Sequence, residues 1–411
     1  MFREFTDLLL WLFIRFKSKF YKSILAIRMI FKDEISFYPP TVLKFEREFS
    51  NLIGTKHAAT FSNGTTAIEA AIYALNLSEN DEVISPSYTI PSTFSPIKNT
   101  GSKIVFADVN RKSLNIDSKD ILKKITDNTK AIIVVHTFGN PCDMIEVMNI
   151  AKKYNLSVIE DCSHAHGSKI GSKMVGSFGH IGVFSLQGSK AVAAGEGGVI
   201  VTDNEIFLDR MLEYGHQGRR ICGTLSEPIE RENNLVNGLG RKSRAHPIGV
   251  GMALVDLRLL GLKNNLLYNN WNFINETINK YDWIEIQFRY KTSRINGFFG
   301  GCALILNKTF KGSRNEVISL MNKNNISSYK VYQNEHDKNS AYKSSIPSEK
   351  TLTDDFINDE SLSKVFKNSN LEGTKFATER VIMIPLIQFF LPGKKNKFIK
   401  LIIEINQTQN S

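Results

Sequence analysis

Residues 131–162 read AIIVVHTFGNPCDMIEVMNIAKKYNLSVIEDC, and this stretch decides the fold. Its two ends, AIIVVHTF and LSVIEDC, are short apolar runs rich in β-branched residues, which predicts two buried strands. Between them, Asp143 to Tyr154 is predicted to be a helix because Val147, Ile150 or Ala151, and Tyr154 recur at helical spacing. Two apolar strands joined by a helix are typical of a parallel sheet that is covered on both faces.

The same alternation extends in both directions from that stretch. Further strand candidates are HAATFS, EVISPS, KIVFADV, GVFSLQ and GVIVTD, with helical patterns among them. We therefore expect residues 35–262 to form a large α/β domain of three layers around a mostly parallel mixed sheet. From residue 263 to 411 the strands CALILN and RVIMIPL alternate with helices, which predicts a smaller C-terminal α+β domain. The polar stretch 336–360 is expected to be an exposed loop or insertion.

The composition limits the class of protein. The chain has 411 residues, a net charge of +11 and four cysteines without CxxC spacing, so neither a disulfide framework nor a zinc knuckle is expected. This cysteine usage predicts a reducing compartment, the cytoplasm. The positive charge suggests an anionic partner, namely nucleic acid, a membrane surface or an acidic substrate. Because the basic residues are scattered and form no nucleic-acid-binding motif, nucleic acid is the least favoured of the three.

Residues 1–34 are predicted to be a basic amphipathic extension of one or two helices. The apolar run from Leu8 to Ile14 is too short to span a bilayer, and most of the charge follows it, unlike in a signal peptide. Two interpretations remain open. The extension could lie on an anionic membrane surface, at the inner face of the membrane, or it could pack on the body of the protein or on a second subunit.

Three polar clusters follow predicted strands, where ligands bind in doubly wound sheets. The first, Asn63 to Thr66, could cradle a phosphate at a helix start or be an ordinary helix cap. In the second, Asp161 could bind a protonated ring nitrogen or join His164 and His166 as metal ligands. In the third, Lys190 could be a solvated side chain or a buried amine with a lowered pKa.

Taken together, these clusters favour one cofactor. A phosphate cradle, an acid for a pyridinium nitrogen and a lysine for an aldehyde are the groups that pyridoxal phosphate requires. Asp161 would keep the ring nitrogen protonated. Lys190 would bind the aldehyde and then move a proton as general base and acid.

Eight ordered motifs resemble the DegT/StrS family of sugar aminotransferases, which have the aspartate aminotransferase fold (fold type I). They extend from about residue 50 to 255 and comprise SNGTTAIEAAIYAL, DEVISPSYTIPST, VFADVNRKSLNID, TKAIIVVHTFGNPCDM, IEDCSHAHGS, VGSFGHIGVFSLQGSK, AGEGGVIVTD and RKSRAHPIGVGMAL. Weaker matches follow in NKNNIS and ATERVIMIPL.

The resemblance assigns roles by position. Lys190 matches the Schiff-base lysine and Asp161 the partner of the pyridine nitrogen, while His164 matches a residue on the side of the ring hydroxyl. The phosphate-binding positions are Gly64, Thr65 and Ser185. The family's active site usually lies at a homodimer interface, where Lys242 would reach the neighbour's phosphate.

Some positions depart from the family pattern. Ile90 stands where many members have an aromatic residue stacked on the pyridine ring, and Tyr88 is two residues away. Lys242 replaces the more common asparagine, and His180 replaces a frequent aspartate. Lys190 is retained, however, and related sugar dehydratases lack it.

The function that the resemblance implies is transamination of a nucleotide-linked keto sugar with glutamate as amino donor, for amino-sugar or surface polysaccharide synthesis. Enzymatic alternatives within the family are aminotransferases for cyclitols or for an aromatic precursor. A non-catalytic, membrane-associated family member is a further alternative.

Overall fold

The computed structural model describes residues 2–35, 39–216, 240–290, 292–331 and 370–410. A seven-stranded sheet forms the centre of the large domain. Its strands are β1 (His57–Phe61), β2 (Glu82–Pro86), β3 (Lys103–Ala107), β4 (Thr129–Val135), β5 (Ser157–Asp161), β8 (Ile181–Ser185) and β9 (Gly198–Thr202). Between β5 and β8 the chain forms a short hairpin of β6 (Lys169–Ile170) and β7 (Lys173–Met174). Each of the strand candidates quoted above for this domain is confirmed.

The order of the large sheet is β1-β9-β8-β5-β4-β2-β3. Strands β8, β5, β4, β2 and β3 pair in parallel, whereas β9 is antiparallel to both of its neighbours. Within the stretch 131–162, β4 and β5 are adjacent, with Val135 opposite Asp161. The predicted mostly parallel mixed sheet is therefore confirmed.

Helices cover both faces of this sheet. They are α2 (Pro40–Ile53), α3 (Gly64–Ala74), α4 (Pro91–Asn99), α5 (Ser118–Lys124), α6 (Met144–Tyr154) and α7 (Glu205–His216). Local sequence sets the ends of α6, because the Asp143 carboxylate accepts a hydrogen bond from the N–H of Glu146 and Asn155 adopts a left-handed conformation that ends the helix. Separate hydrophobic cores on the two faces confirm the three layers.

The C-terminal part has its own sheet and core, as expected for an α+β unit. Antiparallel strands β10 (Ile284–Ile286), β12 (Cys302–Leu306) and β13 (Val381–Ile384) pair in the order β10-β12-β13. Strand β11 (Ser293–Arg294) instead pairs with β6 of the large domain. The helices are α9 (Arg314–Lys323), α10 (Glu372–Arg380) and α11 (Lys394–Asn410).

A single long helix, α8 (Pro247–Ile278), contributes to both parts. Its first half packs Val250 and Leu254 into the core of the large domain, and its second half packs Trp271 and Ile274 into the C-terminal core. The domain border predicted between residues 262 and 263 lies inside this helix. The polar stretch predicted at 336–360 lies outside the described residues.

The N-terminal extension is one continuous helix, α1 (Phe2–Phe31). One of its faces packs on α8, and Ile14 and Met29 of this face are buried. Trp11 stacks on Phe390, which lies shortly before α11, at 5.0 Å between ring centroids. Packing on the body of the protein is therefore confirmed for this face. Among the described residues, no helix is long and apolar enough to cross a membrane.

Candidate active site

The three polar clusters meet at one edge of the large sheet. Asp161 ends β5 and Ser185 ends β8, and these two strands are parallel neighbours, so their carboxyl ends lie side by side. Helix α3 begins at Gly64, directly beside Ser185. A Cβ atom added to Gly64 would lie 3.0 Å from the Cβ of Ser185. The structure thus brings Gly64, Asp161 and Ser185 to the position that the parallel topology predicts for a ligand.

The start of α3 has the features of both an ordinary helix cap and a phosphate cradle, the two interpretations of the cluster Asn63 to Thr66. The Asn63 side chain caps the helix by accepting a hydrogen bond from the N–H of Thr66 at 2.8 Å. Helix geometry gives the N–H groups of Gly64 and Thr65 no partner within the helix, so both can face an anion. The backbone packs closely here, because a Cβ on Gly198 would lie 2.4 Å from the carbonyl oxygen of Asn63.

Asp161 is a buried carboxylate with only part of its bonding capacity used. One oxygen accepts a hydrogen bond from the Thr93 hydroxyl at 2.9 Å, and the other accepts one from the N–H of Ser163 at 3.1 Å. The Thr93 hydroxyl also contacts that of Thr89 at 2.8 Å. Because a carboxylate offers about four acceptor sites, Asp161 can still accept a hydrogen bond from a cationic ring nitrogen.

Lys190 lies in the loop after β8, and its side chain points into the protein. Its ammonium nitrogen is 3.5 Å from the centroid of the Phe299 ring. Burial lowers the pKa of Lys190 to about 7, and the negative charge of Asp161 opposes this change. A fraction of the residue remains accessible. A lysine in this environment has a substantial neutral, nucleophilic fraction near neutral pH, which favours the interpretation as a buried amine over that as a solvated side chain.

His164 lies among aromatic rings. Its imidazole stacks on Phe299, with 4.2 Å between centroids and 9° between planes, and it is nearly parallel to Phe138 at 6.0 Å. Burial, with a further contribution from the Lys190 charge, holds the pKa of His164 well below its usual range. The N–H of Phe138 points to Nδ1 at 3.4 Å, so the neutral ring carries its proton on Nε2.

The metal interpretation of the second cluster does not fit the structure. Among the described residues, one group of three histidine, cysteine, aspartate or glutamate side chains has its potential ligand atoms within 4.8 Å of one another. It comprises His136, Glu160 and Cys162. Asp161, His164 and His166 therefore do not converge on a common point.

The ligand atoms of that buried group are already used by the protein. His136 bonds Glu160 at 3.0 Å, and Glu160 also accepts hydrogen bonds from the N–H groups of Gly176, Phe178 and Gly179. The second ring nitrogen of His136 accepts one from the N–H of Cys142. This arrangement is a structural network that joins β5 to the turn before β8.

Phe299 and Thr93 are the site residues that the sequence reasoning missed. Phe299 belongs to the segment NGFFGG, residues 296–301, in which Gly297, Phe298, Gly300 and Gly301 all have positive φ angles. The glycines allow a tight path, and Gly301 lies so close to Ile384 that an added Cβ would be 2.0 Å from its carbonyl oxygen. In the sequence, a pair of phenylalanines between glycines was the signal that could have indicated an aromatic residue in the site.

The structure also places the residues that depart from the family pattern. Tyr88 is fully buried and makes an edge contact with Phe138, whereas Ile90 is half-buried at the start of α4. Lys242 is exposed and pairs through its backbone with His216. His180 lies just before β8, at the opposite end of that strand from Ser185, where its Nδ1 accepts a hydrogen bond from the N–H of Val158.

Comparison with known proteins gives a family match over most of the chain. The sequence profile of the DegT/DnrJ/EryC1/StrS aminotransferase family matches residues 23–371. The chain is 44% identical to a GDP-perosamine synthase of Escherichia coli O157:H7 over 177 residues, which cover 43% of this chain and 49% of the relative. It is 42% identical to a UDP-N-acetyl-3-dehydro-alpha-D-glucosamine 3-aminotransferase of Acidithiobacillus ferrooxidans over 180 residues, 44% of this chain and 47% of the relative. The chain thus spans about half the length of the curated relatives it matches.

Similarity to solved structures extends over nearly the whole chain. An aminotransferase from Psychrobacter cryohalolentis superposes with a TM-score of 0.81 at 23% identity, covering 95% of this chain and 97% of the other. A GDP-4-keto-6-deoxymannose-3-dehydratase superposes with a TM-score of 0.74 at 21% identity, covering 93% and 97%. At these identities the comparison establishes the fold.

Proposed function

Because the chain belongs to the DegT/DnrJ/EryC1/StrS aminotransferase family, we propose that it uses pyridoxal 5′-phosphate to transfer an amino group to a keto sugar. The observation that carries this proposal is the environment of Lys190. Its amine has a pKa lowered to about 7 and lies at the edge of the sheet where Asp161 and the start of α3 meet. The family resemblance and the independent geometry of the site lead to the same cofactor.

The residues present fit this cofactor. A side chain at position 64 would narrow the space between α3 and Ser185, so glycine there keeps a cradle open for a phosphate. The N–H groups of Gly64 and Thr65, the Thr65 hydroxyl and Ser185 would hold that phosphate. Asp161, with acceptor capacity left, would hold the protonated ring nitrogen. When bound, pyridoxal phosphate supplies an electron sink for breaking a bond at the carbon that carries the amine.

Lys190 would transfer the proton during amino transfer, and His164 would offer a neutral hydrogen-bonding group beside it. The lowered pKa would allow Lys190 Nζ to take a proton from one carbon near neutral pH and to return it two atoms away, the 1,3-proton shift that amino transfer requires. His164 stays neutral because it is buried, so it can donate or accept a hydrogen bond without adding positive charge beside Lys190. Phe299 contacts both side chains, at 3.5 Å from the Lys190 nitrogen to the ring centroid and 4.2 Å between the ring centroids of Phe299 and His164.

The substrate class is inferred from the named relatives. Two relatives are a GDP-perosamine synthase and a UDP-linked amino-sugar aminotransferase, so we infer a nucleotide-linked keto sugar as acceptor. Glutamate is proposed as the amino donor because the family resemblance implies it. The retained lysine favours amino transfer over dehydration. The product would be an amino sugar for a surface polysaccharide.

We also propose that the active unit is a homodimer. Lys242 is exposed and its backbone pairs with that of His216, so its side chain is accessible to a neighbouring copy. In such a dimer, Lys242 of a second copy would contribute positive charge to the phosphate of the cofactor.

The assignment is tested by trapping the cofactor on the protein. The purified chain is incubated with pyridoxal 5′-phosphate, reduced with borohydride, digested and mapped by mass spectrometry. We expect the cofactor on Lys190, while Lys263, another lysine with a lowered pKa, serves as the internal control and stays unmodified. Absence of a modified Lys190 would refute the assignment.

The substrate is tested with a panel of GDP-linked and UDP-linked keto sugars, with glutamate as amino donor. We expect turnover with at least one of them and none in the Lys190→Met variant. Formation of a dehydrated sugar in place of an amino sugar would exclude amino transfer.

A further inference from the structure

The face of α1 that points away from α8 carries a stripe of large apolar side chains. Apart from the adjacent pair Leu12 and Phe13, its members lie three or four residues apart along the helix. They are 46% to 86% exposed and comprise Phe5, Leu9, Leu12, Phe13, Phe16, Phe20, Ile24, Ile27 and Phe31. We call this set the α1 stripe. Such a helix is about 45 Å long at about 1.5 Å per residue. Exposed apolar patches of this extent on soluble proteins usually mark an interaction surface.

The docked face of α1 holds the stripe outward. Ser18 and Lys22 of α1 bond the buried carboxylate of Asp256 on α8, at 2.9 Å and 2.5 Å. Met29 packs so closely on α8 that a Cβ on Gly251 would lie 2.7 Å from its sulfur. These contacts fix the rotation of α1 about its own axis. The α1 stripe therefore cannot turn inward to bury itself.

Positive charge flanks the α1 stripe on both sides. At about 100° per residue, Lys17 and Arg28 project along one border and Arg15 and Lys19 along the other. Between residues 5 and 32 the only acid is Asp7, against six lysines and arginines. The ammonium of Lys17 lies 5.8 to 6.0 Å from the centroids of the Phe13 and Tyr21 rings, so its stem runs along the border of the stripe.

From these observations we propose that the α1 stripe docks the protein on the surface of an anionic lipid bilayer. An apolar face with aromatic side chains and basic borders matches the boundary between acyl chains and anionic headgroups. Because its opposite face is held on α8 by the contacts with Asp256, α1 would lie in the plane of the membrane surface. Pairing of two α1 stripes about a two-fold axis is less favourable, because it brings the basic borders of both copies together.

The docking is tested by flotation of the 411-residue chain with vesicles. We expect the wild type to float with vesicles of phosphatidylcholine and phosphatidylglycerol, and not with phosphatidylcholine alone, in a buffer of about 0.1 M salt. A variant with Phe16→Glu and Ile27→Glu should lose at least tenfold in affinity. The matched control carries Ile145→Glu and Ile206→Glu, which change equally exposed isoleucines on other helices, and it should bind like the wild type.

A charge variant distinguishes electrostatic attraction to anionic lipids from non-specific hydrophobic adsorption. Replacing Arg15, Lys17 and Lys19 by glutamine should weaken binding to anionic vesicles by about fivefold per charge and flatten its salt dependence. Failure of the wild type to float with anionic vesicles would overturn the proposal. So would a stripe variant that floats normally but sediments as a smaller oligomer, because the α1 stripe would then be a protein interface. Neither outcome depends on the proposed aminotransferase activity.

Discussion

The ammonium of Lys190 and the ring of Phe299 are in contact, with 3.5 Å between the nitrogen and the ring centroid, although the two residues are far apart in sequence. The contact joins the large domain, which supplies the lysine, to the NGFFGG segment that leads into β12 of the C-terminal sheet. The same ring stacks on His164. One aromatic side chain thus contacts two groups whose pKa values are lowered by burial.

Removing the Phe299 ring should raise the pKa of Lys190. Burial is the main cause of the lowered pKa, so Phe299→Ala, which admits water, should move the pKa from about 7 toward the ordinary 10.5. Phe299→Leu still excludes water and should leave the pKa near 7. The measurement is the pH dependence of Lys190 acetylation in the cofactor-free protein, followed by mass spectrometry. Phe288→Ala, which removes an exposed ring elsewhere, is the control. Identical profiles for the Ala and Leu variants would contradict the assigned role of the ring.

Lys190 should also make the stability of the cofactor-free protein depend on pH. Between pH 7 and 10.5 the lysine is protonated in the unfolded chain and neutral in the folded one, so the unfolded state binds more protons. The free energy of unfolding should therefore rise with pH in this window, by at most about 1.4 kcal/mol per pH unit from this group. Urea unfolding of wild type and Lys190→Met across the window measures the difference. Parallel curves for the two proteins would show that the pKa is not lowered.

Gly64→Ala should weaken cofactor binding without unfolding the protein. The new methyl group would meet the Cβ of Ser185 at 3.0 Å, which pushes the start of α3 away from β8. We expect the Kd for pyridoxal 5′-phosphate to rise by about tenfold, or about 1.4 kcal/mol. Gly261→Ala is the matched control, because nothing lies within 4 Å of its added Cβ in the middle of α8. Absorbance titration of both variants measures the Kd, and equal values would argue against a cradle between Gly64 and Ser185.

Asp256→Asn should loosen α1 and the loop that carries Lys190. The Asp256 carboxylate binds Ser18, Lys22 and Lys263, and it also accepts a hydrogen bond from the N–H of Ala193 at 3.3 Å. The amide cannot balance two ammonium groups, and because these are partly exposed we expect a loss of about 2 to 3 kcal/mol in the free energy of unfolding.

Urea unfolding measures that loss, and the rate of tryptic cleavage at Lys17 and Lys19 reports on the release of α1. Asp127→Asn, at an exposed position, is the control and should change neither. If the Asp256 variant is as stable and as resistant as the control, the ionic contacts do not hold α1.

The fold could be read from local pattern because its physical causes are local. The apolar runs at 131–138 and 156–162 can only be buried, and the capping residues Asp143 and Asn155 set the helix between them. Right-handed parallel connections then place Asp161 and Ser185 at the same edge of the sheet. For the same reason, the order of the motifs sufficed to single out Gly64, Asp161 and Lys190.

The sequence by itself determined the sheet through residue type and periodicity, and the family through the resemblance of eight ordered motifs. It also predicted the groups that would hold the cofactor, because they follow strands whose order the chain sets. Only the tertiary structure decided that the aromatic ring in contact with Lys190 is that of Phe299. Tyr88 is instead buried in a core that includes residues of the C-terminal strands β12 and β13. The tertiary structure also decided which face of α1 docks on Asp256 and which stays exposed. Both outcomes depend on contacts between residues far apart in the chain, whose packing no local pattern encodes.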